Sequence, residues 1–247
     1  MSQAEILHTG FYALGFIVLF AIGEFLYHVM KVQAELTRKF VHLITGVICL
    51  SFPFVLSTHW SVLILTLAFV AILVISLKFN LLKSINAVNR KTRGSFLFPI
   101  VIYLTFWIYS IYGEHNMRGS NLYYYDKDGT FSLGGTIYYF LPILLLSVSD
   151  PMAALFGKRW PYGKYKILNE TKTLIGSSAF FLSAFILSIL FIIPNSGSIS
   201  DAILISLSVA LATTLIEAVS QKGFDNLLIP LSAAGILILF KDLLTLW

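Results

Sequence analysis

Asp150 stands inside an apolar run from Tyr138 to Phe156, and a glycine-bearing, lysine-rich stretch follows at once. That stretch holds Gly157-Lys158-Arg159, Gly163-Lys164, Lys166 and Thr171-Lys172-Thr173. A charged group at the centre of a membrane helix costs about 2.5–3.5 kcal/mol on insertion scales, so an acid kept there is a candidate for chemistry. The stretch after it has the composition of an anion site. Glycines let backbone N–H groups approach, lysines supply charge, and a helix expected to begin near Thr173 adds its positive dipole end. The P-loop pattern GxxxxGK[ST] is absent. A polybasic loop held by anionic membrane lipid is the competing reading.

Three more ionisable groups lie in apolar stretches: Glu24, His42 and Glu217. Glu24 precedes Lys31, Asp150 precedes Lys158, Glu217 precedes Lys222, and His42 follows Lys39, in each case by three to eight residues. At 1.5 Å per residue, all four are expected within about 5–12 Å of one set of loops. The shared depth predicts one site at one end of a bundle. Arg38 and Lys39 fall on the same helical face as His42, although anchoring bases plus a satisfied buried histidine explain the same spacing. Arg90-Lys91-Thr92-Arg93 reads either as a second basic wall or as an anchor. Glu24 is better read as paired with a neighbouring base. Glu217 and Asp225 are hard oxygen ligands at the end of one span and in the next turn. With Asp150 they suit Mg²⁺, which usually takes one or two carboxylates plus substrate phosphates.

The elements that must position these residues are membrane helices. Of 247 residues, 57% are hydrophobic and 12% charged, against about 25% charged in soluble domains. Spans of about 20 apolar residues are expected at 11–30, 40–57, 60–77, 95–112, 136–156, 174–193, 201–219 and 228–246. The fold class is therefore an all-α, polytopic transmembrane helix bundle, in one domain over 1–247. Eight spans are expected, with seven the alternative. Pro53 interrupts the second span, and Pro230 with Lys241-Asp242 weakens the last. The first apolar run has no Lys or Arg ahead of it, so it reads as a retained helix rather than a secretory leader. Cys49 is the only cysteine, which excludes disulfides within the chain and thiolate metal clusters.

Charge sets the orientation. Of 17 Lys and Arg residues, only Arg118, Lys127 and Lys241 fall outside the odd-numbered loops. The positive-inside bias then places those loops in the cytoplasm and the N-terminus outside. The net charge of +5 reports this topology and not a nucleic-acid partner. The loop from Gly113 to Gly135 is expected to hold a small structural hairpin turning at Asp128-Gly129, with its tyrosines in an interfacial belt.

Taken in order, these motifs resemble the membrane-embedded polyprenol kinase family of dolichol, phytol and farnesol kinases. The resemblance is carried by Glu35-Leu36-Thr37-Arg38-Lys39-Phe40-Val41-His42, then Arg93-Gly94-Ser95 with Pro99. Asp150-Pro151-Met152-Ala153-Ala154 follows, with Gly157-Lys158-Arg159, Gly163-Lys164, Lys172-Thr173 and Gly176-Ser177. Glu217-Ala218, Gly223, Asp225-Asn226-Leu227 and Pro230 close the series. The resemblance implies transfer of a γ-phosphoryl group from a nucleoside triphosphate to the hydroxyl of a lipid alcohol. CTP is the implied donor, with UTP or ATP as alternatives, and Mg²⁺ the implied cofactor. Asp150 would be metal ligand or base, Glu217 and Asp225 would support the metal, and His42 would join the catalytic set. Arg38, Lys39, Arg93, Gly157, Lys158, Gly163, Lys164, Lys172, Thr173 and Asn226 would hold the nucleotide. The nearest alternative is a CTP-dependent phosphatidate cytidylyltransferase, which shares a similar Asp…Gly-Lys…Lys-Thr stretch. Its Pro-Gly-His-Gly-Gly segment is missing here. A transporter is a third reading, weakened because no internal repeat is visible and the acids sit toward one side.

Overall fold

The structure is a computed structural model that describes residues 2–79, 81–86, 94–113, 124–125, 131–132, 134–167 and 170–245. Among these, seven helices are long and apolar enough to cross a membrane. They begin with α1 (Gln3–His28), then a broken span of α2 (Ala34–Cys49) and α3 (Phe52–Val55), then α4 (His59–Lys78). A single-turn α5 (Lys83–Asn86) precedes α6 (Gly94–Tyr112). The fifth span joins α7 (Ile137–Leu144), a π turn at Leu145–Ser149, and α8 (Asp150–Arg159). The last two are α9 (Leu174–Ile192) and α10 (Ile199–Val219).

The eighth expected span, 228–246, forms a shorter helix, α11 (Asp225–Leu239), of 15 residues. That is about 22 Å at 1.5 Å per residue, short of the ~30 Å hydrocarbon core. Pro230 lies inside it without ending it, and the helix stops just before Lys241-Asp242. A 3₁₀ turn (Lys241–Leu243) follows, Leu244 bridges Ser196, and the Thr245 N–H donates to the Asn195 carbonyl at 2.9 Å. Helix and tail together still run from one end of the bundle to the other.

The first span begins at Gln3, earlier than its hydropathy suggests. Ser2 caps it by accepting from the Glu5 N–H at 3.2 Å. The Glu5 carboxylate takes N–H groups from Ser57 and Thr58 and the Ser61 hydroxyl at 2.6 Å. Beyond the helices, the described residues form two small hairpins. In one, β1 (Tyr124–Tyr125) pairs antiparallel with β2 (Phe131–Ser132), while the expected turn at Asp128-Gly129 lies outside the described residues. In the other, β3 (Lys164–Ile167) pairs with β4 (Glu170–Thr173).

The buried side chains form two main groups. One gathers α8 to α11 around Phe180, Ala184, Ile205, Val209, Ile229 and Ala233. The other gathers α1 to α4 and α6 around Phe16, Phe52, Val62, Val101 and Phe106. The fifth span belongs to both, giving Tyr138, Leu141 and Leu145 to the first and Tyr139, Ile143 and Leu146 to the second. Half of its apolar window is buried, the largest share among the seven.

Two prolines explain how this central rod docks on α2. Pro53 has no N–H to offer the Cys49 carbonyl four residues back, and the Tyr139 hydroxyl donates to that carbonyl at 2.9 Å. In a π turn each carbonyl seeks the fifth residue on, which for Leu146 is Pro151. The His42 ring donates to the Leu146 carbonyl instead. Both are neighbours satisfying backbone that proline released, as apolar surroundings demand. Gly46 permits the approach, since a Cβ there would sit 1.8 Å from Ser147 Oγ and 2.6 Å from its Cβ. Gly46→Ala is therefore expected to lower stability by about 1–3 kcal/mol, read as a lower unfolding midpoint in detergent. Gly10→Ala, with no atom within 4 Å of its new Cβ, should leave the midpoint unchanged.

Candidate active site

The motif residues converge on a cavity of about 380 Å³ at one end of the bundle. Its wall takes Arg38, Lys39 and His42 from α2, and Gly94 and Ser95 from the start of α6. Asp150, Gly157 and Lys158 come from α8, Lys172 and Thr173 from β4, Glu217 from α10, and Asp225 and Asn226 from α11. The first turns of α6, α9 and α11 all face it. Helix N-termini carry partial positive charge, so three of them reinforce the bases.

Glycines at two helix crossings bring these ends together. A Cβ on Gly157 would meet Thr173 Oγ1 at 2.7 Å and Gly176 Cα at 3.3 Å. A Cβ on Gly94 would meet Asn226 Nδ2 at 2.7 Å, the amide that donates to the Gly94 carbonyl at 2.9 Å. Thr173 caps α9, accepting from the Gly176 N–H at 3.1 Å. In the turn between α10 and α11, Lys222 and Gly223 both take positive φ, +54° and +85°, which starts α11 with Asp225 and Asn226 at the cavity.

The stretch read from sequence as an anion-binding loop is the β3–β4 hairpin. Its residues alternate in burial, with Glu170 and Lys172 half-buried and Thr171 exposed. Lys172 Nζ donates to Glu217 Oε1 at 2.7 Å and also to the Glu217 carbonyl. Glu217 further accepts from Ser177 at 3.3 Å. The Gln221 side chain donates to the Ile167 carbonyl and the Lys222 N–H to Glu170 Oε1, which pins the hairpin to the α10–α11 turn. Lys172 and Glu217, expected on phosphate and on metal respectively, are thus joined to each other.

Several expectations fall elsewhere. Gly163 and Lys164 do not line the cavity. Gly163 takes φ +62°, and a Cβ there would press on Leu174 at 2.6–2.8 Å, so its role is to turn the chain into β3. Lys164 is exposed on that strand. Arg93, with Arg90 and Lys91, lies outside the described residues. Glu24, expected to pair with a neighbouring base rather than to act, shares the depth but not the cavity, pairing with His28 at 3.1 Å and accepting from the Ser84 N–H at 2.8 Å. The sequence reading passed over Glu170 and Thr45, which do line it. Their signals are faint: Glu170 shares a strand face with Lys172 two residues on, and Thr45 follows His42 by three residues on a helix.

Asp150 and Asp225 both face the cavity, and the charged neighbours of Asp150 are Asp225, Lys39, Glu217 and Lys172. Among the described residues no three His, Cys, Asp or Glu side chains are grouped to hold a metal by themselves. Two carboxylates beside a basic wall do fit a Mg²⁺ whose remaining ligands are phosphate oxygens and water. The Lys172–Glu217 pair, with side chains 15% and 9% exposed, is expected to be far more sensitive to single than to double replacement. Lys172→Met should destabilise by about 3 kcal/mol by stranding a buried charge, and adding Glu217→Met should recover much of it. A double-mutant cycle on unfolding midpoints checks this.

No protein-family profile matches the chain, and no solved structure matches it. The chain is 28% identical over 221 residues to a curated phytol kinase of Synechocystis sp., covering 90% of this chain and 85% of that protein. A similarity over nearly the whole chain supports placing this membrane bundle in a polyprenol and phytol kinase-like family.

Proposed function

We propose that the protein phosphorylates the hydroxyl of an isoprenoid or related lipid alcohol, with a nucleoside triphosphate as donor. The observation that carries this reading is the cavity itself. It holds Asp150 at membrane depth and faces it with Arg38, Lys39 and Lys158 and with the first turns of three helices. Likeness to a phytol kinase supports the same acceptor class. Phosphoryl transfer requires positioning and charge neutralisation more than covalent chemistry, and these residue types supply both.

In this reading the alcohol oxygen attacks the γ-phosphorus as the bond to the β–γ bridging oxygen breaks, and the nucleoside diphosphate leaves. The hydroxyl proton passes to the Asp150 carboxylate. Lys39, Arg38 and Lys158 bind phosphate oxygens, and the Glu217-held Lys172 completes the wall in a fixed position. Asp150 and Asp225 would hold Mg²⁺, which when bound neutralises charge on the phosphates. Asn226 fixes the start of α11 against α6. CTP is the proposed donor, on the family resemblance, with UTP and ATP as the comparison nucleotides. The basic end is proposed to face the cytoplasm, on the positive-inside bias, in a single membrane domain.

Incubated with CTP and a prenyl alcohol, the purified protein is expected to release CDP and form the alkyl phosphate. Pyrophosphate release would identify a cytidylyltransferase instead. Asp150→Asn should lower the rate at least about 100-fold while the unfolding midpoint holds; near-normal turnover would remove Asp150 from the chemistry. In sealed membranes, added nucleotide should support the reaction in inside-out vesicles and not in right-side-out ones.

A further inference from the structure

The charged cavity continues into a narrow apolar crevice of about 20 Å³, with Thr45, Phe69 and Phe98 lining both. On four helices the lining steps along one face: Phe20 to Phe16 on α1, Thr45 to Cys49 on α2, Leu73 through Phe69 to Leu65 on α4, and Phe98 to Ile102 on α6. Each step is four residues, which stacks successive side chains one turn apart. All four steps lead away from the charged end, because α1 and α4 arrive there while α2 and α6 depart. From Thr45 to Phe52 the stripe on the second span covers roughly 10 Å at helical rise.

The mouth and the depth of this crevice differ in chemistry. At the mouth, His42 Nε2 and Thr45 Oγ1 have no hydrogen-bond partner among the described residues, and Thr45 is 3% exposed. A buried hydroxyl left unpaired is destabilising, so a ligand oxygen that accepts from Thr45 is favoured there. Deeper, the walls are hydrocarbon and aromatic rings, with Phe16 edge-on to Phe69 at 5.6 Å and to Phe52 at 6.3 Å. Cys49 adds a buried thiol, and the Thr66 hydroxyl already donates to the Pro99 carbonyl. One polar end and one apolar body describe the ligand that fits.

We infer that this crevice seats the tail of the lipid alcohol, with its hydroxyl oxygen accepting from the Thr45 hydroxyl at the mouth and its proton directed to Asp150, and that Cys49, Phe52, Leu65 and Ile102 set which tail lengths are accepted. The inference rests on the lipid-alcohol kinase reading and adds to it where the acceptor lies. The half-buried Phe69 ring stands at the junction and swings aside when a tail is seated. Neither Cys49 nor Leu65 touches the charged cavity, so both are free to report on the tail alone.

The test compares geraniol, farnesol, geranylgeraniol and phytol as acceptors for the purified protein. Cys49→Leu is expected to lower kcat/KM for the two longest alcohols about tenfold, the scale on which one or two methylenes discriminate in an apolar pocket. Geraniol should stay within about twofold. An equal loss for every alcohol would overturn the assignment. Cross-linking of the unmodified protein with a geranylgeraniol analogue bearing a diazirine near its tail end gives a second reading free of folding defects. Adducts are expected on Cys49, Phe52, Leu65 and Phe69, and adducts confined to outward-facing residues such as Val47 and Leu67 would refute the site. If the unmodified protein phosphorylates none of the alcohols, the kinase reading fails on its own, and the adduct pattern still decides whether the crevice holds a tail.

Discussion

Prolines in membrane helices release carbonyls that lipid cannot satisfy, and this bundle depends on how two such groups are answered. The Cys49 carbonyl, deprived by Pro53, takes the Tyr139 hydroxyl. The Leu146 carbonyl, deprived by Pro151 in a π turn, takes the His42 ring. Both donors bridge α2 and the fifth span, the rod on which both main side-chain groups are built. The chain cannot separate these elements without burying an unpaired carbonyl, a cost of about 1–3 kcal/mol each. The same Pro151 follows Asp150, so the group proposed for chemistry sits where this constraint holds the helix.

From that docking the rest of the site follows. Gly46 lets α2 close on the π turn, which carries Arg38, Lys39 and His42 to the wall opposite Asp150. Gly157 and Gly176 let α8 and α9 cross closely, and Gly94 does the same for α6 and α11. The hairpin then lies over the end of α10, where Lys172 and Glu217 neutralise each other at 2.7 Å. A base held this way keeps a fixed position rather than a searching one.

Much of this was legible in the chain. Hydropathy located the long helices because the bilayer imposes a length on each, and Asp150, His42 and Glu217 shared a depth because residue count measures height along a helix. Depth says nothing about azimuth: Glu24 shares the height of the other three but faces His28 and Ser84, in line with its reading as a residue paired to a neighbouring base. Gly163 and Gly157 look alike in sequence. One supplies a positive φ for a turn and the other a thin crossing at the cavity, and only their neighbours tell them apart. The β3–β4 hairpin reads as a loop in sequence because four-residue strands leave little alternation.

By itself the sequence determined a membrane helix bundle, its polar end and the residue types gathered there, since burial of a charge and the length of an apolar run are local properties. It also carried the family resemblance that the comparison with a phytol kinase supports. Tertiary structure decided which of those residues meet. The pairing of Lys172 with Glu217, the capture of the Leu146 carbonyl by His42 and the crevice below Thr45 each join elements far apart in the chain. Their partners are set by how helices rotate and cross, and that is a property of packing which no single stretch of sequence contains.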